Sequence, residues 1–159
     1  MPANTDQMPA TTECERLSYR VYLGRYLGNG KLDHHAIYVE TDQAGQEGML
    51  YDVTGTVLRG MEYRSRRGVD PRLSATGLSR QHVGWITKEN YLRMESVFQN
   101  IPPPTAQLAL NGSRLDRSKP LRHCQHWATE AIDALKAEEL LDPLGPTDNP
   151  CEEFPVREH

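Results

Sequence analysis

The chain lacks a long apolar run. No stretch approaches the roughly 18 apolar residues a membrane helix needs, so no transmembrane segment is expected. A basic or apolar opening is missing too, since MPANTDQMPATTECE has the features of neither a secretory signal nor a mitochondrial presequence. Cysteine is scarce: Cys14, Cys124 and Cys151 are the only three in 159 residues. An odd, sparse set without a signal does not read as a disulfide framework. Nor is there an excess of positive charge. Eighteen Lys and Arg stand against 22 Asp and Glu, a formal net charge of −4, whereas a dedicated nucleic-acid binder is usually basic. Apolar residues are few as well, at 37%, with a mean hydropathy of −0.68. That is polar for a chain of one-domain length, and it implies that part of the chain stays outside the core. These absences leave a small cytoplasmic domain as the expectation.

The polar surplus collects at residues 1–15 and 142–159, the second holding four prolines and little periodicity. Both are expected to be tails flanking one domain over 16–141, with Cys14 and Cys151 as tail thiols. Inside that domain, Arg16 to Leu23 alternates, with Leu17, Tyr19, Val21 and Leu23 on one side, and predicts a half-buried strand. Gly28-Asn29-Gly30 predicts a turn. His34 to Thr41 is rich in β-branched and aromatic residues and predicts a second strand, and Met49 to Thr54 a third. Weaker strand patterns lie near 60–66 and 81–87. Thr87 suits the cap of a helix with Tyr91, Met94, Val97 and Phe98 on one stripe, ended by Pro102-Pro103-Pro104. The strongest helical pattern starts at Cys124, with Trp127, Ala128, Ala131, Ile132 and Leu135 on one face. Strands first and helices after predict an α+β domain, an antiparallel sheet packed against helices.

Chemistry concentrates at Cys124, which opens that helix. Unpaired N–H groups and about half a positive charge at a helix start favour thiolate over thiol. A free thiol is only slightly ionised at neutral pH, so a cysteine nucleophile needs such a place and a base. The bland reading of Cys124 is a small buried hydrophobe. Among the histidines, His34 and His35 begin a strand and His123 and His126 flank the cysteine. A strand histidine facing a cysteine at a helix start can take the thiol proton while a third polar group fixes the ring. Adjacent strand residues point to opposite faces, so one of His34 and His35 suits this role and the other does not. His34 and Asp52 both lie off the more apolar parity of their strands. If the strands pair, the two share a face and Asp52 orients the imidazole; otherwise Asp52 is a surface residue before the turn at Gly55. His126 sits about 200° round the helix from Cys124 and is expected to miss the thiol. A zinc site from His123, His126, Cys124, His34 and His35 has no compact ligand spacing behind it, so no metal or cofactor is expected. The Arg64–Arg67 run is able to attract an anionic partner, but the favoured reading is a solvated strand edge.

HHAIYV and HCQHWATEAI resemble the two signature segments of the circularly permuted papain-like proteins, particularly the lecithin:retinol acyltransferase-like and phospholipase/acyltransferase group. His34, Ala36, Ile37, Tyr38 and Val39 match the first segment, with His35 where that group has Trp. Cys124 and His126 match the second, with Gln125 for Glu, Trp127 for Phe and His123 for Asn. The histidine strand precedes the cysteine helix, as in the permuted order, and Asp52 stands where the group places a second-strand histidine. The resemblance implies a permuted papain-like fold and a cysteine hydrolase or acyltransferase. Cys124 would be its nucleophile, His34 its base and Asp52 its third member, with His35, Gln125 and His126 as supporting residues. A peptide, lipid or small acyl compound is the implied substrate. A catalytically inactive binding or accessory module on the same scaffold is the second reading.

Overall fold

The computed structural model describes residues 17–28, 32–148 and 150–154. Six strands run in chain order: β1 (Ser18–Tyr26), β2 (His34–Asp42), β3 (Glu47–Thr56), β4 (Gly60–Val69), β5 (Gly77–Thr87) and β6 (Cys151–Glu153). They form one sheet in the order β4-β3-β2-β1-β5-β6, every neighbour antiparallel. Two helices follow β5, α1 (Lys88–Gln99) and α2 (Cys124–Ala137). The domain is therefore α+β, with helices on one face of an antiparallel sheet.

Alternation along the strands explains the layers. Val21, Ile37, Val39, Tyr51, Val53 and Ile86 point to one face and pack against Met94 and Phe98 of α1 and Trp127, Ala131 and Leu135 of α2. Burying each such side chain is worth about 1.5–3 kcal/mol over leaving it in water. The Thr87 hydroxyl accepts from the Asn90 N–H (3.0 Å), so α1 starts with the cap its sequence predicts. The opposite face has a smaller cluster of its own, Tyr22, Tyr26, Ala36, Tyr38 and Leu50. β1 and β2 are thus covered on both sides. Beside that cluster, Asp70 is fully buried and receives Arg80 at 2.7 Å and Arg72 at 3.0 Å.

Three expectations need correction. β1 begins later than predicted and Leu17 is exposed, because Val21 on one face and Tyr22 and Tyr26 on the other carry its burial. The stretch from 142 is not simply a polar tail. Asp142 exchanges backbone hydrogen bonds with Trp85, and Cys151–Glu153 adds a strand to β5, held by Arg80–Glu152 (2.7 Å) and Arg25–Glu153 (3.0 Å). Charge pairing rather than apolar pattern anchors that strand, so hydropathy gives no sign of it. Cys151 is accordingly an exposed, free thiol on an edge strand. Cys14, the tail 1–15 and the Asn29-Gly30 part of the expected turn lie outside the described residues. Gly55, near the end of β3, has a φ of +130°, and a Cβ there would sit 2.4 Å from the Gly60 carbonyl oxygen across the hairpin.

Candidate active site

The site forms where β2 begins, β3 ends and α2 starts. Ile37 pairs with Tyr51, and carrying that antiparallel register back sets Ala36 opposite Asp52. His34, two residues from Ala36, therefore shares a face with Asp52. The His34 Nε2 lies 2.7 Å from Asp52 Oδ2. This leaves Nδ1 for the hydrogen bond that the ring also makes with the Cys124 thiol. Cys124, His34 and Asp52 form one connected chain. Because α2 packs on the other face of the sheet, the three meet at the sheet's end, where the helix start comes level with the first residue of β2.

Charge is shared along the chain. Hydrogen bonds to Asp52 and then to Cys124 raise His34 from 6.5 to about 9, against the opposing effect of burial. An imidazole with an acceptor at each nitrogen is most stable with both protons on. Burial alone pushes the Cys124 thiol up, but His34 and the backbone N–H groups of His35 and Gln125 more than reverse it and hold the thiol low. Burial likewise works against ionised Asp52, yet hydrogen bonds from His34 and Arg64 hold its carboxyl below the usual range. At neutral pH His34 therefore keeps both protons, and its charge favours the thiolate form of Cys124 over the thiol.

Arg64 is the participant that the sequence pattern conceals. Its Nε and Nη2 donate to the two Asp52 oxygens at 2.7 and 3.0 Å, a bidentate clamp. The Arg64–Arg67 run does lie on an edge strand, but Arg64 is not simply solvated. Asp52 pairs with Arg64 across the β3–β4 hairpin. The signal that could have revealed it is symmetry: residues 52 and 64 are equidistant from a turn centred at 58.

The supporting residues separate by role. His35 gives its backbone N–H to Cys124, while its own imidazole, lowered by burial, does not reach the thiol; its Nδ1 is buried without a partner. His123 caps α2, its Nδ1 accepting from the Gln125 N–H (3.3 Å), and the His126 Nδ1 accepts from the His123 N–H (3.0 Å). This reciprocal cap occupies His126, which stays off the thiol as helical geometry predicts. Gln125 donates its side-chain amide to the Asp33 carbonyl (2.9 Å), tying the start of α2 to the start of β2. Among the described residues no group of three or more His, Cys, Asp or Glu could hold a metal ion. No helix among them is long and apolar enough to cross a membrane.

A cleft of about 680 Å³ opens beside Cys124 and His34, with Tyr26, Leu50, Arg64 and Arg66 in its wall. Cys124 and His34 therefore both border free space. The family model described as DUF6540, a family of unknown function, matches residues 21–142, which include Cys124, His34, Asp52 and Arg64. No curated protein and no solved structure matches the chain. With well over half its length matched, the chain belongs to family DUF6540.

Proposed function

We propose that the protein is a cysteine hydrolase or acyltransferase of permuted papain-like type, acting on an amide, isopeptide or ester through a thioacyl intermediate. One observation carries the reading: a single imidazole bridges a buried, Arg-clamped carboxylate and a thiol at the start of a helix beside a cleft. The Cys124 thiolate attacks the carbonyl carbon, and the C–S bond forms as the carbonyl electrons move onto oxygen. The Cys124 backbone N–H, the first-turn donor that the His123 cap leaves over, is the one offered to that developing charge. Collapse of the tetrahedral species breaks the bond to the leaving nitrogen or oxygen, which takes the proton from His34. Neutral His34 then removes a proton from water or an acceptor amine as it attacks the thioester, and the thiolate departs. Asp52 keeps the ring oriented and stabilises its charged form, while Arg64 fixes the carboxylate.

The test is intact-mass trapping with electrophilic acyl probes on the wild type, Cys124→Ala and His34→Ala. A single acyl adduct on the wild type, none on Cys124→Ala and a strongly slowed reaction of His34→Ala are expected. Equal, slow labelling of Cys14, Cys124 and Cys151 would refute an activated Cys124 and favour a non-catalytic module.

A further inference from the structure

Among the described residues, every charge that lines the cleft has a counter-charge except one. Asp33 pairs with Arg25 at 2.9 Å, Arg64 is spent on Asp52, and protonated His34 stands between Asp52 and Cys124. Burial, with the neighbouring His126, lowers His123 and keeps it neutral. Arg66 lines the same cleft and has no carboxylate partner among the described residues. It pairs with Leu50 as Arg64 pairs with Asp52. Residues two apart on a strand share a face, so Arg66 projects on the site's side, about 7 Å along the strand from Arg64.

Two further observations place its charge in the cleft. Burial pushes the Tyr26 phenol up and the Arg66 guanidinium pulls it part of the way back, so that charge is felt at the Tyr26 wall. The Tyr26 ring lies 6.3 Å from the His34 ring. Part of the rim is aliphatic and open, with Leu27, Leu32 and Val69 at 52%, 53% and 43% exposure, beside the hydroxyls of Thr54, Thr56, Ser74 and Thr76. A guanidinium offers five donors and no acceptor and never loses its charge in a protein, so its complement is an anion with paired oxygens.

We infer that Arg66 is a specificity-determining residue that binds an anionic group of the substrate, a carboxylate or a phosphate, while an adjoining apolar part rests on the aliphatic rim. This rests on the thioacyl reading of the site. It predicts an acyl donor whose scissile carbonyl lies within a few bonds of an anionic oxygen pair.

Acylation rates of the full chain are compared for 4-nitrophenyl hydrogen succinate, its neutral methyl ester and the corresponding phosphonate. A preference of about tenfold for an anionic probe is expected, the low end for a charge-assisted hydrogen bond because this arginine is exposed. The anionic-to-neutral ratio should fall to near one in Arg66→Gln and be partly retained in Arg66→Lys. Arg67→Gln, on the opposite face of β4, should keep it. The ranking of succinate against phosphonate identifies the anion. A wild-type ratio near one, or a ratio unchanged in Arg66→Gln, overturns the role of Arg66 while leaving Cys124 as nucleophile. If Cys124 does not acylate at all, the thioacyl reading fails, and the anion site is measured alone by titrating Cys124→Ala with succinate and with inorganic phosphate. Binding weakened about tenfold by adding Arg66→Gln then supports the site; equal binding, or none, overturns it.

Discussion

Asp52→Asn tests the polar chain at its most buried link. The side chain is 1% exposed and holds three hydrogen bonds, one from His34 and two from Arg64. An amide of the same shape loses the charge and turns an N–H group toward donors. Removing one partner of a fully buried ion pair costs about 3–5 kcal/mol. Here the abandoned cations regain water, since Arg64 is 43% and His34 26% exposed. We therefore expect a loss of about 2–3 kcal/mol, below that fully buried range. In a domain of this size that lowers Tm by roughly 6–12 °C. Arg64→Gln should cost only about 1 kcal/mol, because Asp52 keeps His34 and the cation removed was half in water. The double variant should cost less than the two singles together, since both act on one network. Urea unfolding supplies these values. Iodoacetamide labelling across pH supplies the second readout. Asp52 is the main reason His34 holds its proton to about 9, so its loss should move thiolate formation at Cys124 to higher pH. The labelling rate at pH 6 should drop with that move, by up to about tenfold for each pH unit. A stability loss under about 0.5 kcal/mol would be that of an ordinary surface change and would refute the buried network. An unchanged labelling profile would refute the role of Asp52 in charging His34.

The other predictions concern acid stability and the helix cap. Asp52 is held below its ordinary 3.8, so its contribution to stability is present above that value and lost as pH falls through the lower folded one. Urea midpoints for the wild type should drop along that acid limb, and those for Asp52→Asn should be flatter; parallel curves would contradict the assignment. His126→Ala removes the acceptor for the His123 N–H and should cost about 1 kcal/mol in urea unfolding. The selective labelling of Cys124 should survive, because His34 and the His35 and Gln125 N–H groups still face the sulfur. Loss of that selectivity with little loss of stability would place His126 at the thiol rather than in the cap.

Some of this architecture was legible in the sequence because local physics governs it. A run rich in β-branched and aromatic residues marked β2, and the 3.6-residue stripe Trp127, Ala128, Ala131, Ile132 and Leu135 marked α2, the stripe being buried throughout. Parity offered His34 and Asp52 one face provided that their strands paired, and the angle between residues two apart on a helix kept His126 from the thiol. β6 escaped notice because ion pairs to Arg80 and Arg25, 72 and 128 residues distant in sequence, hold a short polar segment that no pattern announces.

The opening scarcity of cysteine takes its meaning from the same division. Sequence by itself determined that one thiol of three opens an amphipathic helix, since capping residues and hydrophobic period are properties of neighbours along the chain. Which of two adjacent histidines reaches that thiol, and that Arg64 clamps Asp52 while Arg66 stands in the cleft without a carboxylate among the described residues, only the tertiary structure decided. Those outcomes depend on the β2–β3–β4 register and on where α2 meets the end of the sheet. Register is a long-range quantity, fixed when whole strands pair and their faces are buried, so no single segment contains it.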